Sequence, residues 1–266
     1  MRFSANLGFL FTQYPLPDAI RAAADAGFDA VECHFPYDTA PANVAAALAQ
    51  TGLPMLSLNT PPGATRLGEF GLAALPGRQA EARAQIAQAI TYAAATGTRA
   101  VHVLAGLTQA PEALSVFTDN LAFACAIAEA DGLTILIEPL NPRDVPGYAL
   151  HHADQAERII AALGRDTLRM MFDCYHMQIT GGDLLERFIR LRPIIGHVQF
   201  AGVPARAEPD TGEVDYGWLL AQMAQAGWDA PFGAEYRPST TDMTNSLGWL
   251  ARWRGRGALH RPDSEC

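Results

Sequence analysis

Apolar positions along the chain gather into short runs of strand length, separated by longer amphipathic segments rich in alanine. Eight runs stand out: RFSANL (2–7), AVECHF (30–35), MLSLNT (55–60), AVHVLAG (100–106), TILIEPL (134–140), LRMMFD (168–173), IGHVQFA (195–201) and FGAEYR (232–237). The segments between them carry helical spacing. PDAIRAAADAG closes at Gly27, APANVAAALAQTG at Gly52, and RQAEARAQIAQAITYAAATG at Gly97, each where a helix C-terminus favours glycine. EALSVFTDNLAFACAIAEADG, DQAERIIAALG, DLLERFIRL and WLLAQMAQAG, the last closed by Gly227, continue the series. Alanine loses no rotamer freedom in a helix, so propensity agrees with the pattern.

Near-continuous apolar strands that alternate with helices predict a parallel sheet covered by helices. About eight such units in ~250 residues fit a single (β/α)8 barrel better than an open doubly wound sheet. No glycine-rich dinucleotide loop follows the first strand, where Asn6-Leu7-Gly8-Phe9 is the nearest approach. No linker or charge block divides the chain. We expect one barrel domain over residues 1–254 and a loosely ordered polar tail, GRGALHRPDSEC, over 255–266.

Composition narrows the partners. Hydrophobic residues make up 49% of the 266 and charged residues 18%, enough for one sizeable core. A net charge of -9 argues against nucleic acid or an anionic membrane as the main partner. No apolar run approaches the ~20 residues that span a bilayer. The N-terminus lacks the basic and apolar regions of a secretory signal. Cys33, Cys125, Cys174 and Cys266 form no CxxC pair, so free thiols in the cytoplasm are expected. Barrels of this size often pair through their outer helices, which makes a homo-oligomer a further expectation.

The chemistry lies in where the acids fall. Glu138, Asp173 and Glu235 stand at the C-terminal ends of three separate strands, and Gln199 holds the same place in a fourth. A carboxylate there is costly to bury unless it binds a cation or works as an acid or base. In a barrel of this kind those strand ends form the active site. Three carboxylates and an amide suit a hard cation, Mg2+ or Mn2+, more than zinc. The other strand ends offer Asn6, Glu32, His34, Asn59, His102, Asn141 and His176, with Arg206 and Glu208 in the loop after the seventh strand. Asn6 and Asn59 orient substrate or close a turn; His102 is a pocket wall or a core histidine before it is a substrate contact. Glu32 divides evenly between site and structure, and His34 is left aside. His151 and His152 open a helix and are expected to be solvated or capping. Phe9, Phe11 and Phe35 are core residues first and a water-excluding wall second.

The segments FSANLGFLF, FPYD, LPGR, IEPLN, FDCYHMQ, HVQFAG, EPDTGEVDY and EYRP stand in the order and spacing of hydroxypyruvate isomerases. The chain thus resembles that branch of the xylose-isomerase-like TIM barrels, from about Arg2 to Trp253. The resemblance implies that Glu138 and Glu235 are paired proton-transfer residues that also hold a metal. It implies that Asp173 and Gln199 complete the ligand set and that His176 and Arg206 contact substrate. Related ketose epimerases usually have His in place of Gln199, which marks the hydroxypyruvate isomerase branch. The loop AGVPARAEP is less polar than its counterparts, and Leu58 stands where relatives often have His; both changes touch the substrate pocket and not the metal set.

These residue types suit one reaction. Moving a carbonyl between adjacent carbons transfers one proton through an enediolate, which a chelating cation stabilises as a Lewis acid. One carboxylate removes the proton and another delivers it. The expected substrate is a small 2-oxo hydroxy acid, hydroxypyruvate first and a four-carbon analogue next, with Arg206 holding its carboxylate. A ketose C3 epimerase and a non-catalytic sugar-binding barrel are the alternatives. Endonuclease IV shares the barrel but needs more histidine ligands and a basic DNA face, and neither is evident.

Overall fold

Eight parallel strands wind into a ring. A computed structural model of the chain describes residues 1–254. The strands are β1 (Phe3–Asn6), β2 (Ala30–Glu32), β3 (Ser57–Asn59), β4 (Ala100–His102), β5 (Thr134–Ile137), β6 (Leu168–Asp173), β7 (Ile195–Phe200) and β8 (Phe232–Ala234). Their order is β2-β1-β8-β7-β6-β5-β4-β3, every pair parallel. The two ends of that order meet. Val31 N–H donates to the Pro54 carbonyl at 3.0 Å, Leu56 N–H to Val31 at 2.8 Å, and Cys33 N–H to Ser57 at 3.1 Å. These bonds close the barrel and leave no free edge.

The outer layer holds α1 (Leu16–Asp25), α2 (Pro41–Thr51), α3 (Gln79–Thr96), α4 (Ala113–Ala128), α5 (Ala153–Leu163), α6 (Cys174–Thr180), α7 (Leu184–Leu191), α8 (Tyr216–Gln225), α9 (Met243–Ser246) and α10 (Gly248–Arg254). Every expected strand and helix is present. The strands stop earlier than the apolar runs, because the chain leaves the ladder as it turns into the loops of the upper face. Two prolines mark the departures, Pro139 after Glu138 and Pro36 after Phe35; neither can donate to a ladder. α6, α9 and α10 were not expected. Asp173 ends β6 and caps α6 in one step, its Oδ1 accepting from Tyr175 N–H at 2.8 Å. The expectation that no apolar stretch approaches membrane length needs correction. Ala113–Asp131, α4 with the turn that follows it, is long and apolar enough by composition. Its apolar face, including Phe117, Leu121, Ala124 and Cys125, is buried in the core, as in a barrel helix.

Two cores result from the alternation of side chains along each strand. One phase points out to the helices: Phe3, Phe200 and Phe232 pack there with Trp249 and Trp253 of α10. The other points into the barrel. Ala100, Leu136 and Met171 make a small separate apolar cluster, in phase with His102, Glu138 and Asp173 two residues further along. That phase carries the chemistry to the upper face. The expected tail, residues 255–266, lies outside the described residues.

Candidate active site

A cavity of about 620 Å³ opens at the C-terminal ends of the strands. Its walls include Asn59, His102, Glu138, His176, Arg206 and Glu235. Each is delivered by a different strand end or by the loop that follows, as in barrel enzymes generally. Asp173 is fully buried at the end of β6, level with Gln199 of β7.

Glu235 is held on every side. Its Oε2 accepts from Arg206 Nη2 at 2.6 Å. Its Oε1 accepts from Asn6 Nδ2 at 3.0 Å and faces His34 Nε2 at 2.8 Å. Burial favours the neutral form, yet Arg206 and His34 outweigh it and bring its pKa down to about 2. Glu138 has the opposite surroundings. Its Oε1 has no hydrogen-bond partner, and His102 Nδ1 and His176 Nε2 stand 3.7 and 3.8 Å from its oxygens. Burial, then the charges of Glu235 and Asp173, push its pKa well above the usual carboxylate range. Asp173 rises to about 7 through burial, against the pull of Arg206. Burial lowers His102 to about 4, and burial with the Arg206 charge lowers His176 to about 3, so both rings are neutral near pH 7.

Arg206 sits among these acids. Its Nη2 reaches Glu235 and, at 3.4 Å, Asp173 Oδ2. Its guanidinium carbon lies 5.2 Å from the Phe9 ring centre and 5.1 Å from that of Tyr175. Phe9 and Phe35 border the cavity, whereas Phe11 packs against Phe28 in the core.

Two predicted residues stand behind the wall. Asn6 orients Glu235 and is held in turn by Gly8 N–H at 2.9 Å. Glu32 is 1% exposed and lies inside the barrel below the cavity. Its Oε2 accepts from Gln199 Nε2 at 2.9 Å and faces His197 Nε2 at 2.8 Å, while Ser4 Oγ donates to Oε1 at 3.1 Å. Burial opposes charge on His197, but the Glu32 carboxylate outweighs it and raises the pKa. Glu208 also turns away from the site and binds Ser239 N–H and Ser246 Oγ at 2.9 and 2.8 Å. At α5, Gln155 Oε1 accepts from the backbone N–H groups of His151 and His152. Sequence reasoning left out His34 and His197. Each lies two residues from a chosen residue, Glu32 or Gln199, and that spacing was the available signal.

The donor set fits a divalent cation. Glu138, Asp173 and His176 offer atoms within 4.8 Å of one another, all buried. Glu138 Oε1 and Gln199 Oε1 are buried without partners, and an unpaired buried oxygen is costly unless something binds it. The Gln199 amide nitrogen is committed to Glu32, which turns its oxygen the other way. His176 is less suited. Its Nδ1 accepts the Asn141 backbone N–H at 3.0 Å and lies 2.8 Å from Asn141 Nδ2. The neutral ring therefore carries its hydrogen on Nε2, toward Glu138 and Asp173. Nε2 bonds to neither acid, at 3.8 Å from Glu138 and 3.6 Å from Asp173, and is left without a partner.

Known proteins resemble the chain over nearly its whole length. The family described as xylose isomerase-like TIM barrel matches residues 20–253. The chain is 44% identical over 259 residues to the 2-oxo-tetronate isomerase of Cupriavidus necator, covering 96% of this chain and 99% of that one. It is 36% identical over 258 residues to the hydroxypyruvate isomerase of Escherichia coli, covering 96% and 100%. A solved structure from Brucella melitensis, described as an AP endonuclease of family 2, superposes with a TM-score of 0.91 at 36% identity, over 94% of this chain and 98% of that one. The chain belongs to the xylose isomerase-like TIM barrels. Within them it is an isomerase of the hydroxypyruvate isomerase family, the group that also holds the 2-oxo-tetronate isomerases.

Proposed function

We propose that the protein moves a carbonyl between C2 and C3 of a small 2-oxo-3-hydroxy acid. The observation that carries this is the pair Glu138 and Glu235, which border one cavity with pKa values pushed in opposite directions. One carboxyl favours its proton and the other its charge, and a 1,2-proton shift needs one of each. The C3 proton leaves to one carboxylate and an enediolate forms; C2 is then protonated, while the O3 hydroxyl proton passes to O2, so atoms and electrons balance. His176 Nε2–H and His102, both neutral, donate to substrate oxygens. Phe9 and Phe35 on the cavity wall limit water at the reacting carbons.

Glu138, Asp173, Gln199 and Glu235 would hold a divalent ion, Mg2+ or Mn2+, that supplies Lewis-acid stabilisation of the enediolate. The oxygen-rich donors and the orphaned Glu138 and Gln199 oxygens support this ligand set. Hydroxypyruvate, giving tartronate semialdehyde, is one candidate substrate. The higher identity to a 2-oxo-tetronate isomerase favours the four-carbon acid over it. Three buried free thiols, Cys33, Cys125 and Cys174, suit a cytoplasmic setting.

The test is NMR in deuterated water with 2-oxo acids and neutral ketoses, each with Mg2+ and Mn2+. Solvent deuterium should enter the product of the 2-oxo acid. Glu138→Gln and Glu235→Gln should each lower turnover by roughly 10²–10⁴-fold while far-UV circular dichroism stays unchanged. Normal turnover by either variant defeats the assignment, and turnover of a ketose alone points to an epimerase.

A further inference from the structure

Two guanidinium groups face one aromatic ring in this cavity. Arg206 is committed to Glu235 and Asp173. Arg237 also lines the cavity, with its guanidinium carbon 5.2 Å from the Phe9 ring centre, the same distance as that of Arg206. Among the described residues no carboxylate lies within 4.0 Å of its nitrogens. Its backbone N–H donates to the Arg206 carbonyl at 2.7 Å, which ties the loops after β7 and β8 together. Arg237 is exposed at the cavity mouth, and the Phe9 face gives its guanidinium one fixed neighbour there.

We infer that Arg237 anchors the carboxylate of the 2-oxo acid substrate. The inference rests on the function proposed above. The cavity is bordered by Glu138, Asp144 and Glu235 in a protein of net charge -9, so an anion entering it is repelled unless an unpaired cation meets it. Arg206 lies against Glu235 and Asp173 at 2.6 and 3.4 Å, whereas Arg237 has no acid partner among the described residues. Arg237 and Glu235 line the same cavity, so an acid held by the guanidinium lies in the space that the proton-transfer carboxylate also borders. A carboxylate bound bidentately there presents C2 and C3 toward Glu235. The same contact separates acids from neutral ketoses, whose reacting carbons are otherwise alike.

The experiment compares wild type, Arg237→Gln and Arg237→Lys. Hydroxypyruvate and 2-oxo-tetronate serve as substrates, and dihydroxyacetone, which lacks the carboxylate, as a competitive inhibitor. Arg237→Gln should raise KM for the acids roughly ten- to a hundredfold, with kcat changed only a few-fold and inhibition by dihydroxyacetone unchanged. Arg237→Lys should recover part of the loss. Unchanged KM, or equal weakening toward acid and neutral compound, overturns the inference. Calorimetric titration of hydroxypyruvate into wild type and Arg237→Gln separates this from the parent reading. If no 2-oxo acid is turned over, the isomerase proposal fails; the anchor still stands or falls on whether the substitution weakens binding.

Discussion

At the scale of single residues, the site is a set of opposed protonation preferences, and His102 makes them measurable. The ring is 2% exposed and its pKa falls from 6.5 to about 4, chiefly through burial. Between those values the unfolded chain binds a proton that the folded protein refuses. Unfolding is therefore favoured as pH falls from 6.5 to 4, by at most about 1.4 kcal/mol per pH unit for this one group. Asp173, raised to about 7, works in the opposite sense, because there the folded state holds the extra proton. The difference between wild type and His102→Gln isolates the histidine. Urea unfolding from pH 7 to 4 should show wild type losing stability relative to the variant; a pH-independent difference would sink this account. Little of this was legible beforehand. Glu32, which its strand-end position leaves divided between site and structure, ends inside the barrel, bonded to His197, Gln199 and Ser4. Depth along the barrel axis depends on strand stagger, which local spacing does not carry.

At the scale of elements, each strand has to suit its neighbours across the barrel, and Gly233 of β8 shows how tightly. It pairs in register with Gln199. A Cβ at this position would fall on Glu32 Oε1, 2.8 Å from His197 Nε2 and 2.9 Å from Gln199 Cγ. The glycine leaves the room in which Glu32 turns the Gln199 amide. Gly233→Ala should destabilise the protein by about 1–3 kcal/mol in denaturant titrations, as overpacking does. Gly248→Ala, with nothing within 4 Å of the new methyl, is the control and should change little. Equal effects from the two would show that the interior cluster tolerates movement. The strands themselves were readable because buried parallel strands are continuous apolar runs, and the helices because most end in glycine. α6 escaped notice for a physical reason: Asp173 ends β6 and caps the helix with no polar or glycine break between them.

At the scale of the whole molecule, the barrel gathers residues that lie far apart in the chain, and a cation would couple them. Glu138, Asp173, Gln199 and Glu235 belong to four successive strands or to the residues just beyond them. Three of the four are carboxylates that are at most 6% exposed, so their mutual repulsion opposes closure of that side of the ring. An ion bound only by the folded form removes the repulsion and adds about 2.7 kcal/mol at a hundredfold excess over its Kd. For a chain of this size each kcal/mol raises Tm by about 2–4 °C. Millimolar Mn2+ or Mg2+ added to chelator-treated protein should therefore raise Tm by roughly 5–10 °C, and EDTA should reverse it. Glu138→Gln removes one anionic ligand without changing the shape of the side chain, and most of the shift should vanish with it. A Tm that ignores both ions, or a shift that survives the substitution, would mean that the buried acids are balanced by Arg206 alone and that the isomerase works without a metal at these oxygens.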